Sequence, residues 1–216
     1  MATITKIEEQ KNKKRVNIFV DGAFFCGLNF ETAVVCGLKT GKEVNTEELN
    51  EAIRKSEIKS AFEQASKYIG SRMHTKKELF DKLKQKGYEK AIILEAISKL
   101  EEYHYVDDAL FAKSFVEQNS KYSKTILEGK LRQKGVDLEI IKNVLEGVSD
   151  DNEYLLCLEH MTKYIKTKDM SKEGAREKLF ASLARKGFNF DFIKRAYSEI
   201  KNQIEIANDD NIDFYD

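Results

Sequence analysis

From Ser56 onward, apolar residues fall at spacings of three and four. Ile58, Ala61, Phe62, Ala65, Ile69 and Met73 would form one stripe along a helix. The stripe ends before Thr75-Lys-Lys-Glu78, a capping box that opens a second helix, with Thr75 bonding the first amides and Glu78 reaching back. Leu79 and Leu83 face inward on that helix, and it stops at Lys86-Gly87. Gly occupies the left-handed position after a helix without steric cost. Glu89 to Tyr103 reads as a third helix, carrying Ile92, Ile93, Ala96 and Ile97.

The same pattern recurs twice. Lys134-Gly135 and Lys186-Gly187 are each preceded by Leu at eight and four residues before the Gly (Leu127 and Leu131, Leu179 and Leu183). They are followed by Val136 and Phe188 where the first copy has Tyr88. Recurrence every fifty residues or so marks a repeat protein. The second copy opens at Tyr105-Val-Asp-Asp108, with Asp107 as N-cap, Asp108 as a first-turn acid and Val106 stapled to Phe111. Its second helix starts near Ser123. In the third copy Ala175 stands where a cap is expected, and Ser171, four residues earlier, is the better candidate. One longer helix in that repeat, beginning at Ser171, is the expectation.

The first fifty-odd residues obey a different period. Arg15 to Val20 and Ala23 to Leu28 are β-prone runs around Asp21-Gly22, a strong hairpin signal because both central positions of a type I′ turn need positive φ. Ile4 to Ile7 adds a strand, Phe30 to Cys36 a helical turn or two ending at Gly37, and Asn45-Thr-Glu-Glu48 a cap for another helix. Such a module is too small to hold a large core and packs on the helices after it. The expected architecture is mainly α: a small β-hairpin-containing module over residues 1–56, three-helix repeats over 57–104, 105–149 and 150–202, and an acidic disordered tail over 203–216.

Composition agrees with helices and removes several function classes. The 216 residues contain no Pro, 41% are hydrophobic and 34% are charged. No apolar run is long enough to span a membrane, and the first residues lack a signal-peptide core. Cys26, Cys36 and Cys157 have no metal-ligand spacing and read as reduced, buried thiols of a cytoplasmic protein. The net charge is zero, but unevenly spread: residues 59–201 are mildly basic, and the tail holds Glu205, Asp209, Asp210, Asp213 and Asp216 with no Lys or Arg. A basic array suits a polyanion or an acidic protein partner.

No catalytic, cofactor or metal motif is visible; His74, His104 and His160 lie far apart in sequence. The binding candidates are cations around each central helix: Lys82, Lys84, Lys86, Lys130, Arg132, Lys134, Arg185 and Lys186, with Arg72, Lys194 and Arg195 beside them. They could meet phosphates or acidic side chains without reading sequence. Cations in a last turn also favour the helix dipole, by about 0.3–1 kcal/mol each. Three quasi-equivalent units with Lys-rich ends suggest a surface that tracks a long partner rather than a single recognition helix in a major groove.

The Leu-x-x-x-Leu-x-x-Lys-Gly repeats, Tyr105-Val-Asp-Asp-Ala-Leu-Phe-Ala112, and Val20-Asp-Gly-Ala-Phe-Phe-Cys-Gly-Leu28 together resemble the RecX family, bacterial regulators of the RecA recombinase. The likeness runs from about residue 15 to 200. It implies three tandem three-helix repeats in an elongated, curved array that binds the RecA–DNA filament as a monomer. It also implies inhibition of the recombinase, ATPase and co-protease activities, with single- or double-stranded DNA as a second contact, no cofactor and no catalysis. The competing expectation is a sequence-tolerant nucleic-acid-binding protein that acts without RecA.

Overall fold

The computed structural model describes residues 1–11 and 14–209, with side chains through residue 202. The chain divides into two compact units between Asp108 and Ala109.

The first unit begins with strands β1 (Ala2–Glu9), β2 (Arg15–Val20) and β3 (Ala23–Asn29), then helix α1 (Phe30–Val35) and strand β4 (Glu43–Val44). The antiparallel sheet has the order β3-β2-β1-β4, with bulges between Ile4 and Lys6 and between Ile18 and Phe19. The hairpin turn is as expected: Asp21 and Gly22 have φ of 48° and 82°. Along β2 the period of two is strict, with Val16, Ile18 and Val20 buried.

Helix α2 (Thr46–Ile69) covers this face, capped by Asn45, whose side chain accepts from the Glu47 and Glu48 amides. The sequence suggested a boundary near residue 56 and a stripe running to Met73. Instead a single helix of 24 residues crosses 56 and ends at Gly70. No Gly or Pro interrupts Thr46–Ile69, so nothing stops the helix once it is capped. Its first half gives Leu49 and Ile53 to the sheet core. Its second half gives Ile58, Ala61 and Ala65 to the core of the first repeat, beside Leu79 and Leu83 of α3 (Lys76–Gln85) and Ile93, Ala96 and Leu100 of α4 (Lys90–Glu102). Between the halves sits Glu57, buried, accepting from Asn29 N and from the Asn29 and Thr32 side chains. It ties the β3–α1 corner to α2.

The second unit contains α5, which starts at the division (Asp108–Gln118), α6 (Lys124–Gln133) and α7 (Leu138–Glu146), then α8 (Asp150–Thr167), α9 (Ala175–Arg185) and α10 (Phe190–Asp209). Phe111, Leu127, Leu131 and Ile141 build one core. Tyr154, Cys157, Met161, Leu179, Leu183 and Ile193 build the other.

The third repeat corrects the sequence reading. Ser171 does not cap α9; its N–H and Oγ donate to Asp169 in a local turn, at 3.0 and 2.6 Å. Helix α9 begins after Gly174, which is left-handed, and has 11 residues against 10 in α3 and α6. The long helix is the repeat's first: α8 has 18 residues where α5 has 11. The expected tail begins at residue 203, yet the α10 backbone continues to Asp209; residues 210–216 lie outside those described.

Cys157 is buried, while Cys26 and Cys36 are only half-buried, so the expectation of three buried thiols holds for one. Burial pushes the Cys26 and Cys157 thiols up to about 11, which suppresses the thiolate.

Candidate partner-binding surface

The three Lys-Gly turns are built alike. Lys86, Lys134 and Lys186 are C-cap residues, and Gly87, Gly135 and Gly187 come next with φ of 92°, 78° and 82°. Two of these turns are also docking points. Arg15 of β2 donates to the Gly87 carbonyl and, at 3.1 Å, to that of Gly27, joining the sheet to the first repeat. A Cβ on Gly87 would lie 3.0 Å from Arg15 Cδ. In the second unit, Ser123 Oγ donates to the Lys186 carbonyl at 2.5 Å and Thr125 Oγ1 to that of Gly187 at 2.9 Å. The N-terminus of α6 therefore holds the turn after α9. Gly in this motif permits both the left-handed turn and the close approach of a neighbour.

A second recurring joint uses acids. Asp108 is buried and accepts from the Lys76 amide at the start of α3 (2.9 Å), while Lys76 Nζ pairs with Glu101 at 2.8 Å. Glu153 is buried on α8 and accepts from the Lys124 amide at the start of α6 (3.2 and 3.1 Å), while Lys124 Nζ pairs with Asp150 at 2.8 Å. In each unit a buried acid from outside the central helix thus caps that helix. The sequence reading assigned Asp108 to its own helix; its carboxylate bonds the preceding one. Burial raises the pKa of both carboxyls.

The eleven candidate cations separate into groups. Lys84, Lys86 and Arg185 are exposed and make no ion pair among the described residues. Lys82 lies over the Tyr68 ring at 4.7 Å, and its equivalent Lys130 over Tyr122 at 4.7 Å. Lys134 faces the stacked rings of Phe111 and Phe115, at 5.5 and 5.7 Å. Arg132 pairs with Glu128 one turn back, at 3.1 Å. Lys194 lies over Phe190 at 4.6 Å, and Arg195 over Tyr154 at 4.1 Å. Arg72 is engaged in its own loop, donating to the Met73 carbonyl at 2.7 Å and pairing with Glu78 at 2.9 Å. It closes the approach to α3 around buried His74, whose Nδ1 donates to the Arg72 carbonyl and whose pKa burial lowers. Cation–ring contacts of this kind hold a long side chain outward while keeping its charge in water.

The third repeat carries a different charge pattern. Where the first two have Lys82/Lys130 and Lys84/Arg132, it has Ser182 and Ala184, and its cation moves to Arg185. Lys186 Nζ donates to His160 Nδ1 at 2.9 Å. The other nitrogen, Nε2, lies 3.4 Å from the Lys121 carbonyl. His160 carried no signal in sequence, because its partner lies twenty-six residues away.

Among the described residues, no group of His, Cys, Asp and Glu could hold a metal, and no helix is long and apolar enough to cross a membrane.

Comparison with known proteins matches the N-terminal module and the first two repeats. The family profile of the regulatory protein RecX N-terminal domain covers residues 2–45, that of the first RecX three-helix domain 61–100, and that of the second 107–145. The regulatory protein RecX of Bacillus licheniformis is 34% identical over 204 residues, 92% of this chain and 78% of the relative. That of Bacillus subtilis is 33% identical over 216 residues, 98% of this chain and 80% of the relative. That of Clostridium botulinum strain Eklund 17B is 34% identical over 208 residues, 94% and 98% of the two chains. A crystal structure of regulatory protein RecX superposes with a TM-score of 0.65 at 22% identity, covering 92% of this chain and all of that one. Another, of RecX from Lactobacillus salivarius, gives 0.62 at 23% identity over 68% and 98%. The structural likeness speaks for the fold, a β-containing module followed by three-helix domains. Taken with about a third of all positions shared along nearly the whole length, it makes the chain a member of the RecX family of regulatory proteins.

Proposed function

We propose that this protein binds the RecA–DNA filament and mainly inhibits its recombinase, ATPase and co-protease activities, and that it does so without catalysis of its own. The observation that carries the reading is membership of the RecX family together with cations left outward at the helix ends, Lys84, Lys86 and Arg185 above all. Cations on successive helix ends favour acidic protein surface and DNA phosphates together, whatever the base sequence. The protein acts as a monomer in the cytoplasm.

The test is DNA-dependent ATP hydrolysis by a cognate RecA, with substoichiometric protein added to preformed filaments. Hydrolysis should fall at low ratios. Reversing Lys84, Lys86, Arg132 and Lys134 together should weaken inhibition by at least about tenfold, while helix content stays nearly intact. Inhibition unchanged in a folded variant would sink the role of these cations. No inhibition by the native protein would favour direct nucleic-acid binding. One observation supports that second reading: Tyr103 and Tyr105, tilted against each other with centroids 6.1 Å apart, are both 59% exposed and offer ring faces to an unpaired base.

A further inference from the structure

Within the second unit, the start of α6, the middle of α8 and the end of α9 enclose a groove of about 540 Å³. Its floor is apolar, formed by Ile126, Leu156 and Phe188 with Tyr122 at one side. Its rim carries four cations, Lys121, Lys163, Arg185 and Lys186, against one carboxylate, Glu159. That carboxylate is paired with Lys163, and Lys186 Nζ lies 2.9 Å from His160 Nδ1, so the rim keeps a net positive charge around the apolar floor. The walls are fixed before any ligand arrives. Ser123 and Thr125 clamp the α9 turn to α6, and the His160 ring lies 5.5 Å from that of Phe188.

We infer that this groove receives a short acidic peptide segment with one large apolar side chain. The apolar side chain would sit on the Ile126–Leu156–Phe188 floor, and carboxylates on either side would meet Lys121 and Arg185. A bare phosphate chain would use the cationic rim and leave the apolar floor without an occupant, whereas a peptide with an apolar side chain uses both. The Tyr122 ring, the natural place for a base to stack, already has Lys130 over it at 4.7 Å and Lys121 at 5.5 Å. Charge complementarity and an apolar anchor together select a peptide. The inference deepens the filament reading and rests on it in one respect: it takes the partner's contact here to be protein.

The test uses the full chain and a fluorescent peptide of aspartates around one central phenylalanine, monitored by anisotropy. Binding is expected, with about a tenfold loss when glycine replaces that phenylalanine and a similar loss in the Lys121→Glu/Arg185→Glu variant. Lys121→Gln/Arg185→Gln, milder at two exposed positions, should give a smaller loss in the same direction and serves if the reversed pair misfolds. Equal binding of the glycine peptide would reduce the groove to a patch of charge and overturn the inference. So would the absence of peptide binding, or tighter binding of an oligothymidylate that the same variants abolish. RecA hydrolysis decides separately: peptide binding without inhibition keeps the groove and sinks the filament reading, and inhibition without peptide binding does the reverse.

Discussion

Gly187→Ala should destabilise the second unit by about 3 kcal/mol. The φ of 82° places an L side chain in the left-handed region, which costs roughly 1–2 kcal/mol. The new Cβ would lie 2.6 Å from Ser123 Oγ and 2.8 Å from Thr125 Cβ, closer than either can remain. Relief requires the α9 turn to move off α6, which breaks the bonds to the Lys186 and Gly187 carbonyls, at about 0.5–1.5 kcal/mol each. The control is the same substitution elsewhere. Gly129 lies within α6, exposed, with nothing within 4 Å of a Cβ. Gly129→Ala should therefore stabilise by about 0.5–1 kcal/mol through helix propensity alone. Urea unfolding monitored by circular dichroism measures both, as shifts in midpoint at constant slope. If Gly187→Ala unfolds within about 0.5 kcal/mol of the parent, a shift typical of surface changes, the docking role of the Lys-Gly turn is refuted.

Glu153 binds its proton more tightly when folded, because burial raises its pKa above the ordinary 4.5. Its contribution is full below that value and is lost as the pH rises through the folded one, so Glu153→Gln should flatten the stability profile above pH 4.5. Urea midpoints across pH check this, and superimposable profiles would disprove it. His104 is exposed with φ of 57°, so His104→Gly should raise the unfolding free energy by roughly 0.5–1 kcal/mol, and a lower melting temperature would contradict that. Tyr154 donates from its hydroxyl to Glu199, and burial, with the Glu199 carboxylate beside it, pushes its pKa up to about 12. Tyr154→Phe should cost about 1.5–3 kcal/mol in the same unfolding assay, the range for a bond to a charged group; a neutral substitution would count against that bond.

Local chemistry was legible wherever one segment decides its own conformation. The Asp21-Gly22 hairpin, the Asn45, Thr75 and Ser123 caps and the three left-handed glycines all arise from residues within a few positions of one another. Legibility ended where partners are remote. Nothing near Arg15 shows that it will grip a carbonyl at Gly87, and nothing near Glu153 shows that it will cap α6. Ser171 misled because Asp169, two residues away, competes for it more closely than a new helix can. The continuous α2 was readable in principle, since a cap with no stop signal before Gly70 is a long helix; the change of partner halfway along it imitated a boundary. The candidate cations were found by type and position, but whether each points at a ring, an acid or solvent depends on packing.

Helix α2 makes the angular relation between the sheet and the first repeat a matter of helical phase. Each residue added or removed between Ile53 and Ile58 would turn one core against the other by about 100° and shift it by about 1.5 Å. Leu49 and Ile53 could then face the sheet only if Ile58, Ala61 and Ala65 turned away from α3 and α4. A loop absorbs a single-residue insertion with little loss, but this stretch cannot. Length changes that preserve the fold here come as whole turns, three or four residues together or seven, and a sequence that varies freely at this junction would have to break the helix first.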